Sequence, residues 1–269
     1  MAVIYKYFPT DRRGFFKDSK VRFSNPADLN DPLDCIPAID LVDVERRVQR
    51  VVDGNRATIR ARYGGMAEAV IQETAERYKQ QLLANKAPFL NKVLAIHRKH
   101  INEAIGILSL SKLADVELMW AHYCEDHKGF VIGFDSNSTF FNRKPSDTPD
   151  VGDLVDVRYS STPIQILVDD YKIPVELLYS KKSIWAYEQE VRIVRELRNR
   201  DEEKVVNGKR IHLFCFPKQD IREVIFGFNS PDDLIAEITR DIKADADYSI
   251  AFKRAGYDAS GNFVITNYP

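Results

Sequence analysis

The spacing of apolar residues changes twice along this chain. Between about residues 38 and 103 they recur at helical intervals, as at Val44 and Val48, and helix breakers are few. The preceding segments 3–7 and 20–24 carry instead the β-branched and aromatic residues that are typical of short strands. The pattern therefore predicts a block of three or four helices over 38–103, inserted between strands as a subdomain or lid.

Glycine and proline indicate where the helices of this block begin and end. Gly54 and the pair Gly64-Gly65 are expected to end helices, because glycine is common just after a helix. Pro88 is expected to begin one, since proline is tolerated in the first helical turn. No linker-like composition separates the block, so a single domain over 1–269 is predicted.

Strand-like segments return after residue 105 and alternate irregularly with shorter helical stretches. Helices are predicted near 114–124, in pieces over 163–189, and near 231–245, while 136–153 has the composition of a loop. Some ten strands with helices gathered to one side favour an α+β fold with a mixed, mostly antiparallel sheet core. The later strands are predicted at 105–110, 129–135, 154–159, 191–197, 210–216, 223–228, 248–254 and 262–266.

Charge and cysteine content exclude several classes of protein. The 39 basic and 40 acidic side chains nearly cancel, so the molecule as a whole is not steered onto nucleic acid or anionic lipid. Three widely spaced cysteines without a CxxC pair indicate buried thiols in a reducing compartment. The N-terminal apolar segment is too short for a signal peptide, and no apolar run approaches the roughly 20 residues of a membrane helix. A cytoplasmic protein is expected.

A basic stretch within the helical block could form a local phosphate-binding patch. Its arginines are opposed within the stretch only by Asp53, so a nucleotide or nucleic acid is a candidate partner. The alternative is an ordinary solvated helix surface. The residues of this arginine patch are Arg46, Arg47, Arg50, Arg56, Arg60 and Arg62.

The segment 113–123 predicts a helix that is apolar on two sides. Trp120 and Tyr123 share one face, whereas Leu118 and His122 point the opposite way, so we expect this helix to be buried between layers. His122 is then either a core histidine bonded to a backbone carbonyl or a residue of a cleft wall. No fourth ligand at zinc-like spacing accompanies its histidine and cysteine neighbours, so no metal site is predicted.

Two glutamates lie close together before an apolar strand. If the strand begins near Tyr187, then Glu188, Glu190 and Arg192 lie on one of its faces. Carboxylates two residues apart are about 6.5 Å apart along a strand, and they repel by roughly 2–3 kcal/mol at an effective dielectric of about 20. In a cleft this repulsion either raises the pKa of one carboxylate or requires a cation, which Arg192 could supply. A solvated Glu/Arg face is the alternative.

The loop from Phe23 to Asp34 is rich in short polar side chains and in prolines that fix its backbone. Such residues can bind a ligand, and they also serve as caps and in Asx turns. Both roles remain open for Ser24, Asn30 and Asp31.

Taken together, five segments resemble the bacterial family called domain of unknown function 2971. They follow the family's order from residue 5 to 227, and the family name implies no reaction. The matching segments are Tyr5-Lys6-Tyr7, Phe23-Ser24 with Asn30-Asp31-Pro32-Leu33-Asp34, Leu118-Met119-Trp120-Ala121-His122-Tyr123 with His127-Lys128-Gly129-Phe130, Trp185 with Tyr187-Glu188-Gln189-Glu190-Val191-Arg192, and Glu223-Val224-Ile225-Phe226-Gly227.

A second resemblance is to the ADP-ribosyltransferases. Many of these enzymes carry a Glu-x-Glu or Gln-x-Glu pair before an apolar strand, and Glu188-Gln189-Glu190 is similar to it. They also place an aromatic-Ser element on an early strand, which Phe23-Ser24 resembles. The resemblance implies an ADP-ribosyltransferase-like fold. It also implies an NAD-dependent ADP-ribosyltransferase or NAD glycohydrolase, in a bacterial toxin or phage-defence setting.

The same resemblance implies roles for individual residues. A fixed carboxylate would stabilise the oxocarbenium-like state that forms when the nicotinamide–ribose bond breaks. Glu190 would take that role by bonding a ribose hydroxyl, and Glu188 would orient or deprotonate the acceptor. The residues expected to hold NAD are Tyr5, Tyr7, Arg22, Ser24, Asn30, Asp31, Trp120, His122, Tyr123 and Arg192.

One departure from those enzymes leaves other functions open. Their first strand usually shows His or Arg, where this chain has Tyr5 and Tyr7, so Arg22 or His122 would have to anchor the dinucleotide. A regulatory module that binds a nucleotide or nucleic acid without turnover is one alternative. A metal-dependent nuclease is another, built from the four carboxylates Asp31, Asp34, Glu188 and Glu190.

Overall fold

The computed structural model describes residues 2–40, 44–142, 152–167 and 174–269. Strands form in all four of these ranges. They are β1 (Val3–Phe8), β2 (Lys20–Phe23), β3 (Ala38–Asp40), β4 (Ile105–Ser111), β5 (Phe130–Asp135), β6 (Leu154–Asp156), β7 (Arg158–Ser160), β8 (Gln165–Leu167), β9 (Ser180–Lys182), β10 (Glu190–Glu196), β11 (Glu202–Val206), β12 (Lys209–Cys215), β13 (Ile221–Phe226), β14 (Ala251–Tyr257) and β15 (Phe263–Asn267).

The helices confirm the predicted α+β class. Three of them form the helical block, and the fold of the remainder is dominated by strands. They are α1 (Phe15–Asp18), α2 (Val44–Tyr63), α3 (Ala67–Ala84), α4 (Lys86–Ala104), α5 (Glu117–Tyr123) and α6 (Asp232–Lys243). Within the described ranges, no helix is both long enough and apolar enough to span a bilayer.

The chain divides into two compact units. The sheet unit comprises 1–35, 102–161 and 178–269, and the helical unit comprises 36–101 and 162–177. Most of the predicted helical block lies in the helical unit, which also contains β3 and β8, paired in parallel. The organisation of 1–269 as a single domain stays a prediction.

The sheet unit is built on an eight-stranded sheet in the order β15-β14-β13-β5-β1-β4-β10-β6. Its neighbouring strands are antiparallel except β13 and β14, which confirms the mostly antiparallel core. β5 is buried along its whole length because it lies in the middle of this sheet. Helix α6 packs on the core through Leu234, Ile238 and Ile242, which recur at helical spacing on one face.

The pairing of β1 determines where a cavity forms. β1 pairs with β5 at every position from Val3 to Phe8, but its register with β4 is a single pair, Tyr5 with Ser111. β4 pairs instead with β10 along its whole length. Apart from Ile107, which exchanges two backbone hydrogen bonds with Ser24, backbone groups on the facing edges of β1 and β4 are therefore free of the strand ladder and available to side chains or a ligand.

Several local expectations are wrong. Gly54 lies inside α2 rather than at a helix end, because one interior glycine costs a helix only about 1 kcal/mol. The helix end predicted at Gly64-Gly65 is confirmed, because α2 ends at Tyr63 and the short 3-10 turn Gly64–Met66 follows it. Cys215 is an exposed free thiol, whereas Cys35 and Cys124 are buried as expected. Residues 143–151 of the predicted loop lie outside the described residues.

Candidate functional site

A cavity of about 230 Å³ lies in the sheet unit, beside the facing edges of β1 and β4. It brings together side chains that are far apart in the sequence, from the first strand to β10. Nine of the twelve residues proposed from the sequence line it. They are Tyr5, Tyr7, Arg22, Ser24, Asn30, Tyr123, Glu188, Glu190 and Arg192.

The two glutamates do not lie on one strand, as the sequence pattern predicted. Glu188 ends a 3-10 turn, Ser183–Glu188, and β10 begins only at Glu190. Gln189 between them adopts a left-handed conformation with φ of 40°, which separates the turn from the strand. The prediction was wrong because such a conformation is uncommon for a residue other than glycine. Both carboxylates are nevertheless buried, at 2% and 4% exposure.

Lys181 joins the two carboxylates. Its Nζ lies 2.5 Å from Glu188 Oε2 and 3.0 Å from Glu190 Oε2. Burial lowers the pKa of Lys181, but the attraction of the two glutamates outweighs burial and raises it above the ordinary value. Lys181 was not predicted, because β9 is short and lacks the alternation that identifies a strand. The need for a cation between the glutamates was recognised but was assigned to Arg192.

Arg192 is fully buried, and the protein satisfies all of its donors. Nε donates to Glu190 Oε1 at 2.6 Å, and Nη2 to Glu190 Oε2 at 3.2 Å. Nη1 and Nη2 donate to the two oxygens of Asp34 at 2.9 and 2.6 Å, and Nη1 also to the carbonyl of Leu178 at 2.9 Å. An arginine has five N–H donors, so none remains for a ligand.

These contacts fix the charge of Glu190. Burial raises its pKa, but Arg192 and Lys181 outweigh burial and lower it to about 2. The pKa of Arg192 is raised well above its ordinary value by Glu190 and Asp34, against the effect of burial. We name Asp34, Lys181, Glu188, Glu190 and Arg192 the ion cluster.

Glu188 is less crowded than Glu190. The hydroxyl of Tyr123 donates to its Oε1 at 2.6 Å, and Lys181 donates to Oε2. Burial and the charge of Glu188 raise the pKa of Tyr123, so this phenol stays a donor. A carboxylate oxygen can accept two hydrogen bonds, so Glu188 retains accepting capacity towards the cavity.

Three of the proposed residues do not line the cavity. Trp120 is fully buried in the core, and its Nε1 donates to the carbonyl of Ala114 at 2.7 Å. His122 is exposed, as is Leu118, so the prediction of a helix buried on two sides is wrong. Asp31 accepts from Trp185 Nε1 at 3.1 Å and from the backbone of Leu33 at 2.9 Å, which is the turn role left open for this loop.

The first strand contributes a lysine that the sequence analysis did not single out. Lys6 lines the cavity between Tyr5 and Tyr7, and its Nζ donates to the carbonyl of Ser109 on β4 at 2.8 Å. Burial lowers the pKa of Lys6 to about 8. The hydroxyl of Tyr7 is already used, since it donates to the carbonyl of Leu113 at 3.0 Å, and burial raises the pKa of Tyr5 to about 12.

The geometry does not favour the nuclease hypothesis. Among the described residues, no group of three His, Cys, Asp or Glu side chains is arranged to hold a metal ion. Asp31 does not line the cavity. Asp34 and Glu190 both accept hydrogen bonds from Arg192, so a metal ion would have to compete with a cation already in place.

The arginine patch lies in the helical unit, and acidic and aromatic neighbours offset part of it. Arg56 and Arg60 form ion pairs with Glu68 of α3 at 3.2 and 2.8 Å. The guanidinium of Arg47 lies over the ring of Phe89, 4.6 Å from its centre. The sequence analysis missed Glu68 because it counted charges within one segment. A nucleic-acid partner stays a prediction.

A comparison with protein families gives a match that covers part of this site. Residues 119–193 match the family model described as "Protein of unknown function (DUF2971)". This match supports the predicted resemblance to the DUF2971 family. The DUF2971 segment contains Lys181, Glu188, Glu190 and Arg192, but the match does not extend to the residues contributed by β1 and β2. No curated protein and no solved structure matches the chain. The similarity to ADP-ribosyltransferases therefore stays a prediction.

Proposed function

We propose that the cavity binds the nicotinamide–ribose end of NAD and that the protein breaks the bond between the nicotinamide and the ribose. It would act as an NAD glycohydrolase if water takes the ribosyl group, and as an ADP-ribosyltransferase if another acceptor does. The observation that carries the proposal is a pair of buried glutamates joined by Lys181 at the wall of a cavity. Burial strengthens their field where positive charge develops on the sugar.

The lining of the cavity suits part of a dinucleotide. Carboxylates can accept from ribose hydroxyls, and the rings of Tyr5 and Tyr123 offer flat apolar surfaces to a nicotinamide ring. A volume of about 230 Å³ is below the roughly 300–1,000 Å³ of a typical ligand pocket. The adenosine part of NAD would therefore lie outside this cavity.

The geometry favours exchanging the roles first assigned to the two glutamates. Arg192 and Lys181 already occupy the oxygens of Glu190, so a ribose hydroxyl would have to compete with charged donors. Glu188 retains accepting capacity, and Tyr123 fixes its orientation. Glu188 would contact the sugar. Glu190 would hold Lys181 in place and would itself supply a permanent negative charge.

The proposed reaction is a displacement at the anomeric carbon. The carbon–nitrogen bond breaks, and nicotinamide leaves as a neutral molecule with the bonding electrons. The positive charge passes to the ribose ring as an oxocarbenium-like state, which Glu188 and Glu190 stabilise. Water or another nucleophile then bonds to the anomeric carbon and loses its proton. Glu188 is placed to accept that proton.

Nicotinamide release tests this proposal. The purified chain is incubated with NAD, and free nicotinamide is measured by liquid chromatography. We expect Glu188→Gln to lower the rate by about 100-fold or more, because removing one group that stabilises transition-state charge typically costs that much. Glu196→Gln is the matched control, since Glu196 lies on β10 but does not line the cavity.

Two outcomes would contradict the proposal. One is equal release by the wild type and Glu188→Gln, with both proteins folded by circular dichroism. The other is saturable NAD binding by the wild type without nicotinamide release, which would favour the non-catalytic nucleotide-binding module.

A further inference from the structure

The four cations that line the cavity are not equally compensated. Lys181 and Arg192 belong to the ion cluster, and Arg22 Nη2 lies 2.7 Å from Asp28 Oδ2. Lys6 differs, because the described residues provide its Nζ with a single partner, the carbonyl of Ser109. An ammonium group has three donors. Two N–H groups of Lys6 are therefore available to a ligand.

The position of Lys6 makes this lack of a counter-ion costly. Lys6 is partly buried and lies on the same face of β1 as Ile4 and Phe8, both of which are buried in the main hydrophobic cluster. A charge taken out of water without an ionic partner destabilises the protein that carries it. Its lowered pKa of about 8 reflects that burial first. Near pH 7 the amine is still mostly protonated, so it presents a positive charge to the cavity.

Arg22 provides a second donor without a partner. Its Nη2 is held by Asp28, but its Nε is buried and has no hydrogen-bond partner. Buried donors are nearly always satisfied in folded proteins, so an unsatisfied one that lines a cavity indicates a missing acceptor. This observation is independent of Lys6, because it concerns another strand and another side chain.

Ser24 adds a hydroxyl group, and it directly follows β2, the strand that carries Arg22. It follows Arg22 by two residues and lines the same cavity. Its backbone is fixed by two hydrogen bonds of 2.8 Å with Ile107 of β4. The hydroxyl can donate or accept, and it can rotate to suit a ligand.

The charged side chains that line the cavity fall into two groups. In the ion cluster three carboxylates face two cations, which leaves one excess negative charge. Lys6 and Arg22 form the second group: Asp28 pairs with Arg22, and the charge of Glu190 acts on Lys6 without an ion pair. A ligand that carries both a positive and a negative charge would complement both groups.

We propose that Lys6, Arg22 and Ser24 form a binding subsite for the phosphoryl group of a sugar phosphate. A terminal phosphoryl group offers three strong acceptor oxygens and up to two negative charges, and a phosphate of NAD offers two non-bridging oxygens and one charge. Either can accept from two N–H groups of Lys6, the Nε of Arg22 and one hydroxyl. The inference deepens the proposed function and rests on it for the sugar, because the phosphate beside the nicotinamide ribose would occupy this subsite. The anion site itself requires no reaction.

Calorimetric titration with ribose 5-phosphate, ribose and inorganic phosphate tests the subsite in a buffer free of phosphate and sulfate. We expect ribose 5-phosphate to bind at least about ten-fold more tightly than ribose, since charge-assisted hydrogen bonds to the phosphoryl group add to those of the sugar. Inorganic phosphate is expected to compete with ribose 5-phosphate.

Substitutions then test the individual residues. Lys6→Met is expected to lower the affinity for ribose 5-phosphate by at least about ten-fold, and Arg22→Gln by at least about three-fold. Lys20→Met is the matched control, because Lys20 lies on β2 beyond the cavity lining and pairs with Glu202 at 2.6 Å. We expect the control to bind as the wild type does.

Thermal unfolding without ligand separates a binding role from a structural one. Lys6→Met is expected to melt at the same temperature as the wild type or higher, because an uncompensated buried charge is removed. Equal affinity of the wild type for ribose and ribose 5-phosphate would overturn the subsite, as would unchanged affinity in both Lys6→Met and Arg22→Gln. Tight binding of ribose 5-phosphate without nicotinamide release would retain the subsite and reject the proposed NAD chemistry.

Discussion

Two lysines line the same cavity, and their surroundings shift their pKa values in opposite directions. Lys181 lies between Glu188 and Glu190, which raise its pKa although it is buried. Lys6 lines the same cavity from β1, and burial lowers its pKa to about 8. Glu190 and Glu188 raise the pKa of Lys6, and Arg22 and Arg12 lower it, but none of them is an ion-pair partner of its Nζ.

The difference distinguishes a scaffold from a recognition surface. In the ion cluster each buried charge has partners within hydrogen-bonding distance, so the cluster holds the cavity wall in one arrangement. At Lys6 and Arg22 donors remain unsatisfied. A ligand that binds there would satisfy these donors.

The largest expected effect is that of removing Arg192. Arg192→Met would leave Asp34 and Glu190 buried without their main cation. Breaking a buried ion pair in this way costs about 3–5 kcal/mol, so the free energy of unfolding measured in urea should fall by that amount. Arg198→Met is the control, because the side chain of Arg198 is 78% exposed, and surface substitutions change stability by about 0.5 kcal/mol or less. A loss below about 1 kcal/mol for Arg192→Met would show that the cluster is not a scaffold.

The charge of Glu190 should produce the next largest effect. Its pKa falls from the ordinary 4.5 to about 2 on folding, so its contribution to stability is fully present above pH 4.5 and is lost as the pH falls through 2. The size of this contribution is on the order of 3 kcal/mol. Urea unfolding of the wild type and Glu190→Gln from pH 7 to pH 2 should show the difference between them disappearing in that window. Glu196→Gln should show no comparable change, and a difference independent of pH would refute the assigned charge.

The smallest expected effect is an increase in the free energy of unfolding, whereas the two preceding substitutions decrease it. Lys6→Met should stabilise the ligand-free protein by on the order of 1 kcal/mol at pH 7, since a partly buried charge without an ion-pair partner is lost together with one hydrogen bond. The pKa of Lys6 is about 8 in the folded chain and 10.5 when unperturbed, so the destabilisation is complete below pH 8 and is relieved as the pH rises to 10.5. The difference in the free energy of unfolding between Lys6→Met and the wild type should therefore become smaller as the pH rises through that range.

Lys20→Met is the control for this titration, because Glu202 raises the pKa of Lys20. The charge of Lys20 therefore stabilises the protein at lower pH, and this stabilisation is lost as the pH rises. The charge of Lys6 is expected to have the opposite effect on stability. If Lys6→Met destabilises the protein at pH 7, the contrast between Lys6 and Lys181 does not hold.

Local patterns predicted the elements better than the contacts between them. The apolar residues of β5, β10 and β13 and the helical spacing of α2 to α4 identified those elements, and the polar residues around them led to most of the cavity lining. Lys6 and Lys181 were missed for a physical reason. Lys6 gains its role because β1 and β4 meet at one pair only, and Lys181 because a left-handed Gln189 turns Glu188 towards β9. Neither arrangement leaves a periodic signal in the sequence.

Nuclear magnetic resonance titration of the lysine side chains, labelled with ¹³C at Cε, tests the contrast between Lys6 and Lys181 most directly. Lys6→Met and Lys181→Met assign the two signals by their disappearance. We expect Lys6 to titrate near pH 8 and Lys181 above the ordinary lysine value of 10.5, and saturating ribose 5-phosphate should raise the pKa of Lys6 while leaving Lys181 high. Two lysines that both titrate near 10.5, with no response to ribose 5-phosphate, would contradict the account.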